Sequence, residues 1–386
     1  MNFQGPYQFF VPIKFISGYG SIERLGELTE GLGNNFMLVT GKSSMERLGY
    51  TQKVLDMLQS KGKKAVLFDG VEPNPTTDTV DRGTDIVKMK KCDAVIGLGG
   101  GSAIDAAKAI AVAAGNGGKI WDYRGGSKNT SKTLPIIAIP TTSGSGTEGN
   151  RYFVLTNKQL NFKEGFAFEE TYPKLSITDP QLTETLSEEI TRDTAIDALG
   201  HSFEAYYSKT ENAFSDMMSL NSIWLIFKYL PIALVDPKNK EARSALMLAS
   251  TLGGIAINYG GVAAPHGISM TIGGLYNTTH AHGVGLCLPH AIQKAVPEAV
   301  DKLSFLAEYL GWSSSDNKRK NAEIVGEKVS DLLAKIKFPE SLSTLGIGKE
   351  GFPKIIERLI GNEDLANDPG AYETKQEIED FLLKII

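Results

Sequence analysis

This chain of 386 residues carries five histidines, His201, His266, His280, His282 and His290, and all of them lie in its second half. The first sits in the stretch TRDTAIDALGHSFEAYYS, residues 191–208, which reads as a buried helix bearing Asp197 and His201. Four residues along an α-helix turn the side chain by about 400°, roughly one turn, so the carboxylate and the imidazole share a face. Burying such a pair amid Ala, Leu and Phe needs compensation, and a divalent metal ion supplies it. Taken alone, the pair reads rather as a core histidine satisfied by a neighbouring carboxylate. His266 and the close pair His280 and His282, each in a glycine-rich, non-periodic setting, turn the reading to a metal site. Its ligands would be Asp197, His201, His266 and one of His280 and His282.

A second group of residues points to a nucleotide. Gly97-x-Gly99-Gly100-Gly101-Ser102 follows an apolar run and opens a small-residue helix. Glycines there clear the way for a phosphate to reach backbone N–H groups, and the positive end of the helix attracts it. The alternative is a tight strand–helix turn with no ligand. Three consecutive glycines and a serine at the carboxyl end of a sheet strand favour the phosphate. Thr141, Thr142 and Ser143 follow the next strand, and Asn74 in a Pro-Asn-Pro loop belongs to the same sheet edge. The tip of the second strand, Thr40-Gly41-Lys42-Ser43, has no acidic residue for the 2′-hydroxyl of NAD, while Lys42 suits a 2′-phosphate. That leans toward NADP.

A dinucleotide site and a His/Asp metal site, expected to meet in the cleft between two domains, imply hydride transfer from an alcohol. An alcohol proton has a pKa near ~16, and an imidazole near ~6.5 cannot hold it; the gap of about 9 units is roughly 12 kcal/mol. Coordination lowers the pKa of bound water from ~15.7 to about 7, which removes nearly all of that gap. The alkoxide so formed expels hydride toward C4 of the nicotinamide. Three imidazoles and a carboxylate suit Zn²⁺ or Fe²⁺.

The elements that position these residues follow from periodicity. Strands are expected at Tyr7–Phe15, Phe36–Thr40, Ala65–Phe68, Ala94–Leu98 and Pro135–Ile139. Helices alternate with them from Ser21, over Met45–Lys61, over Thr77–Lys91 and over Ala103–Ala114, so the first part is a parallel sheet with helices on both faces. After Asp179-Pro180 the period becomes helical, with helices expected at 191–208, 215–234, 240–258, 282–297, 299–311, 320–336, 351–360 and 373–385. The fold class is therefore an α/β Rossmann-like N-terminal domain, residues 1–180, followed by an all-α C-terminal domain, residues 181–386.

Composition bounds the rest. A net charge of −5 with no basic stripe argues against nucleic-acid binding. Cys92 and Cys287 have no metal or disulfide spacing and are expected as reduced core residues of a cytoplasmic protein. MNFQGPYQFFVPIKF has no basic start and no long apolar run, so no signal peptide is expected. No run of about 18 uninterrupted apolar residues occurs, so no membrane span is expected.

VEPNPT at 71–76, GGGSAIDAAK at 99–108, IPTTSGSGTE at 139–148, DPQLTETL at 179–186 and IDALGHSFEAY at 196–206 together resemble the iron-containing (group III) alcohol dehydrogenases. These are relatives of glycerol dehydrogenase and dehydroquinate synthase, and the resemblance spans nearly the whole chain. It implies the dehydroquinate synthase-like fold, a homodimer, and metal ligands at Asp197, His201, His266 and His280, with His282 a rival because it precedes a glycine. Cofactor contacts are implied at Asn74, Gly99, Gly100, Ser102, Asp105, Thr141, Thr142 and Lys163, and Gly41 stands where NADP-using members carry glycine. Two departures are visible: Met270 replaces a second histidine four residues after His266, and THAHG replaces the usual PHG. Both fall on the substrate side. They resemble a branch acting on the terminal hydroxyl of a sugar acid such as 3-deoxy-manno-octulosonate (Kdo, at C8), with Arg151, Arg192 and Lys209 as candidate partners for its carboxylate. Alternatives are a short-chain alcohol, aldehyde or polyol dehydrogenase of the same family, a dehydroquinate-synthase-like lyase, and a non-catalytic nucleotide- or metal-binding protein.

Overall fold

A computed structural model describes residues 5–313 and 315–386; residues 1–4, the head of the stretch read as lacking a signal peptide, and Ser314 lie outside the described residues. The chain divides into two compact units, Phe10–Leu186 and Ser187–Ile386, with residues 5–9 grouped with the second.

The strands of the first unit are β1 (Lys14–Ser17), β2 (Asn35–Gly41), β3 (Lys64–Val71), β4 (Ala94–Gly99), β5 (Ile136–Pro140), β6 (Tyr152–Asn157), β7 (Phe162–Ala167) and β8 (Leu175–Thr178). Six of them form one parallel sheet in the order β1-β8-β5-β4-β2-β3. Its main helices are α1 (Tyr50–Ser60), α2 (Thr77–Lys90) and α3 (Gly101–Asn116). Alternate residues of β2 face opposite ways. Met37 and Val39 join Val80 and Val87 of α2 and Ile110 of α3 in one core, while Phe36 and Leu38 join Val54 and Leu58 of α1 in another. Strands covered on both faces must be apolar throughout, as β4 and β5 are. From β2 onward the sheet is doubly wound, and its direction of growth reverses between β2 and β4, where ligands of such sheets bind.

Local sequence misled in several places here. The aromatic alternation from Tyr7 is not a strand before Lys14; Pro12 lacks an N–H, and the Phe9 ring stacks on Phe214 and Tyr259 at 4.4 and 5.0 Å instead. The helix expected over Met45–Lys61 is broken at Gly49, whose φ of 76° takes the chain out of the helix. The antiparallel pair β6 and β7 was not expected at all.

The second unit is helical, as expected: α4 (Glu188–Tyr207), α5 (Ala213–Val235), α6 (Lys240–Gly260), α7 (Ala264–Tyr276), α8 (His280–Tyr309), α9 (Lys318–Lys335), α10 (Phe352–Leu359) and α11 (Lys375–Leu382). The two helices expected over 282–311 are found as the two arms of α8, which meet at a kink where Ala299 leaves the helical conformation, whereas α7 had no counterpart in the sequence reading. Ile196, Leu199 and Phe203 of α4 lie in a core with Ile223 and Ile226 of α5, Leu246 of α6, Ile292 of α8 and Val329 of α9. Helix α4 is thus surrounded by helices, and every residue from Ala195 to Tyr207 is buried. By length and composition α5 is apolar enough to cross a membrane, with a mean hydropathy of 1.5 over 18 residues, but half of that window is buried within the protein. Cys92 and Cys287 are free and buried.

Candidate functional site

Helix α4 starts where Ser187 accepts the backbone N–H of Ile190 at 3.2 Å and Glu188 and Glu189 face the positive helix end. Two turns later it presents Asp197 and His201, both buried. His266, in the first turn of α7, joins them, and one ligand atom from each of the three lies within 4.8 Å of the others. The rings of His201 and His266 are 4.4 Å apart. His266 Nε2 lies 3.7 Å from Asp197 Oδ1, and His280 Nε2, at the start of α8, lies 3.6 Å from that same oxygen. These separations exceed a hydrogen bond. They approach the ~3.4 Å between two ligands that share one tetrahedral ion at ~2.1 Å. Asp197 Oδ1 and His266 Nε2 are buried without hydrogen-bond partners. Two orphaned atoms of ligand type aimed at one point fit a divalent cation.

His282 goes elsewhere. Its Nε2 is 2.9 Å from Asp193 Oδ2, and its ring stands edge-on to Phe338 at 5.5 Å. Asp193 lies one turn before Asp197 on α4 and is also bonded by Arg192 at 2.9 Å.

Glu204, three residues after His201 and fully buried, went unnoticed in the sequence. Its Oε1 is 2.6 Å from His266 Nδ1, and its Oε2 accepts the backbone N–H groups of Ala263 at 2.6 Å and His266 at 3.2 Å. It therefore caps α7, which has no capping side chain of its own, and orients the imidazole that α7 carries. The one signal was a glutamate amid Phe, Ala and Tyr on an otherwise apolar helix.

The charges agree with this geometry. Burial alone would raise the Asp197 carboxyl, but His201, then His266 and His280, hold it well below the usual range. Burial would likewise lower His266, yet Glu204 and Asp197 outweigh it and push the ring up to about 10. A proton thus occupies the ring when no cation does. Close packing brings the helices together here. A Cβ at Gly200 would lie 2.3 Å from Val284 Cγ1 and 3.3 Å from His266 Cε1.

In the first unit, parallel registry lines up the carboxyl ends of β2, β3, β4 and β5, with Gly41 paired to Val71 and Gly99 to Pro140. The tip residues Gly41, Lys42, Asn74, Gly99–Ser102 and Thr141–Ser143 therefore share one edge. Gly99 has φ 150°, and a Cβ at Gly101 would meet Ser145 Oγ at 2.8 Å, so this turn requires glycine. Gly100 caps α3 without a side chain, so no capping side chain takes the first N–H groups of that helix. Lys42 is exposed. Lys163 sits on β7 opposite Thr156, which bridges to Thr76 beside the Asn74 loop. Asp105 spends both oxygens inside the protein: Oδ1 accepts from Thr147 Oγ1 at 2.8 Å and Oδ2 from the Val154 N–H at 3.0 Å. Beside it Lys108 is buried and donates to the carbonyls of Thr147, Asn150 and Tyr152 at 2.7, 2.8 and 2.8 Å.

Residues 12–180 match the family described as iron-containing alcohol dehydrogenase, and residues 191–386 match the C-terminal part of the Fe-containing alcohol dehydrogenase family. Alcohol dehydrogenase 4 of Schizosaccharomyces pombe is 32% identical over 94% of this chain and 85% of its own. The 1,3-propanediol dehydrogenase of Citrobacter freundii is 30% identical over 97% of this chain and 98% of its own. The crystal structure of a 1,3-propanediol oxidoreductase matches with a TM-score of 0.94 at 30% identity, covering 99% of this chain and 100% of that one. The chain belongs to the iron-containing alcohol dehydrogenase family and is a metal-containing, NAD(P)-dependent alcohol dehydrogenase.

Proposed function

We propose that this enzyme interconverts small neutral primary alcohols or diols and their aldehydes, and that Asp197, His201, His266 and His280 hold its divalent ion. The observation that carries the reading is the convergence of the buried Asp197 Oδ1 and His266 Nε2 with Nε2 of the partly exposed His280. When bound, the ion acts as a Lewis acid that makes an alcohol proton removable near neutral pH. Asp197 contributes charge, the imidazoles contribute neutral donors, and Glu204 keeps His266 turned toward the site. The glycine turn Gly99–Gly101 with Ser102, and Thr141, Thr142 and Ser143 beside it, are proposed to bind the nucleotide's phosphates and ribose, with Asn74 and Lys163 at the margin. Asp105 would act there by fixing the Thr147–Val154 segment.

Several relatives are named for alcohols or a diol, which supports the neutral-alcohol reading over a sugar acid. Two of the three cations considered for a carboxylate support it too. Arg192 is bonded to Asp193 and to the carbonyl of Lys337 at 3.2 Å, and Lys209 to the carbonyl of Ala366 at 2.9 Å. Gly41 and the exposed Lys42 favour NADP over NAD. The family assignment sets aside the lyase and the non-catalytic scaffold.

A metal-supplemented screen of short alcohols, 1,3-diols, polyols and sugar acids, each with NAD⁺ and NADP⁺, tests the proposal by absorbance of the reduced nicotinamide. Turnover is expected with short alcohols or diols, and faster with NADP⁺. Turnover confined to sugar acids would overturn the substrate class, and preference for NAD⁺ would overturn the role of Lys42.

A further inference from the structure

Ser269 lies on α7 three residues after His266 and is 1% exposed. Its hydroxyl donates to the carbonyl oxygen of His280 at 2.7 Å and lies 2.8 Å from Nδ1 of the same residue's ring. A serine hydroxyl has one hydrogen to give. With that hydrogen on the carbonyl, the Ser269 oxygen can only accept from Nδ1, so Nδ1 must carry a proton. The reverse arrangement, with the hydroxyl hydrogen on Nδ1, would leave two oxygens facing each other at 2.7 Å with nothing between them. In a neutral imidazole protonated at Nδ1, the lone pair is on Nε2. Nε2 is the atom that stands 3.6 Å from Asp197 Oδ1.

We propose that Ser269 is a positioning residue that fixes the Nδ1–H tautomer and the ring orientation of His280, and so presents Nε2 as the fourth ligand of the divalent ion. This rests on the metal reading above. The packing is built for it. A Cβ at Gly283 would lie 2.7 Å from Ser269 Oγ and 2.8 Å from its Cβ, so glycine lets the first turn of α8 close onto the serine. These two histidines, His266 and His280, are therefore oriented differently. Glu204, a carboxylate, serves His266, while an uncharged hydroxyl serves His280. The same contact holds His280 toward the site, whereas His282 is held by Asp193.

The test is competition between the ion-free enzyme and a chromophoric chelator for Zn²⁺, read for wild type, Ser269→Ala, Ser269→Cys, His280→Ala and the double variant Ser269→Ala/His280→Ala. Wild type is expected to bind one ion, and Ser269→Ala to bind it about ten- to a hundredfold more weakly. Ser269→Cys should fall between them, because a thiol is a weaker partner of similar size. The double variant should match His280→Ala alone, since Ser269 acts through that ring. Wild-type affinity in Ser269→Ala, with affinity lost in His280→Ala, would overturn the role of Ser269 and leave the metal reading standing. A double variant weaker than His280→Ala by the full serine effect would also overturn it. Absence of binding by wild type, or unchanged binding in His280→Ala, would instead sink the metal reading. If Ser269→Ala does not fold, as judged by circular dichroism and NADPH binding, the comparison rests on Ser269→Cys, and wild-type affinity there overturns the proposal.

Discussion

Glu204→Gln removes one charge and keeps the shape, and the structure fixes what that change must do. The carboxylate faces three donors, Nδ1 of His266 and the N–H groups of Ala263 and His266. A glutamine has one acceptor oxygen. If that oxygen serves the imidazole, the amide NH₂ confronts two backbone N–H groups; if it serves the backbone, the NH₂ confronts Nδ1–H. Hydrogen bonds to a charged group are worth about 1.5–3 kcal/mol each. Losing at least one outright and weakening the others gives a destabilisation of ~3 kcal/mol, and at 2–4 °C per kcal/mol for a unit of this size the melting temperature should fall by ~6–12 °C. Metal affinity should fall about ten- to a hundredfold, since His266 loses its orientation. Thermal melts by circular dichroism and chelator competition read the two effects separately. A Glu204→Gln variant that melts and binds metal like wild type would refute the claim that this carboxylate both caps α7 and aims its histidine.

Gly200→Ala places a methyl group 2.3 Å from Val284 Cγ1, so α8 must retreat. Overpacking of this kind costs about 1–3 kcal/mol, and metal content by elemental analysis should fall with it; full metal occupancy would contradict the packing argument. The affinity for Zn²⁺ should depend on pH with a defined sign. His266 holds a proton up to about 10 in the ion-free protein, and the ion binds the neutral ring, so each ion displaces that proton. Affinity should rise about tenfold per pH unit through the neutral range and level off above that value; calorimetry in buffers of different ionisation enthalpy counts the proton, and a flat profile would be decisive against it. Lys108→Met leaves the carbonyls of Thr147, Asn150 and Tyr152 without their shared donor and Asp105 without its counter-charge. A loss of about 3–5 kcal/mol in denaturant melts is expected, together with weaker NADPH binding by fluorescence, whereas unchanged stability would show that the buried ammonium ties nothing down.

The parts of the site that are local in sequence were readable before any coordinates. Asp197 and His201 are one turn apart on a single helix, and the glycine turn announces itself because only glycine tolerates that backbone and that contact with Ser145. Helix α7 was invisible because GGVAAPHGISM is interrupted by glycines and a proline and has no local cap; the cap comes from Glu204, on another helix. Spacing left His280 and His282 open as rivals because their surroundings are tertiary: Asp193 takes one and Ser269 orients the other. The N-terminal aromatic run has strand-like alternation, yet Phe9 packs on Phe214 and Tyr259, and alternation alone does not say what a face packs against. Asp105 was expected at the cofactor, but the partners its two oxygens find lie far along the chain.

The central claim is that one divalent ion, held by Asp197, His201, His266 and His280, enables alcohol oxidation by a nicotinamide bound elsewhere on the chain. Its most direct test is to strip the enzyme with chelator and titrate it with Zn²⁺ or Fe²⁺, following alcohol-dependent NADPH formation, alongside Asp197→Ala. The account predicts activity that returns to its maximum at one ion per chain in the wild type, and no activity in Asp197→Ala although it still binds NADPH. Turnover by the stripped wild type, or by Asp197→Ala at the wild-type rate, would contradict it.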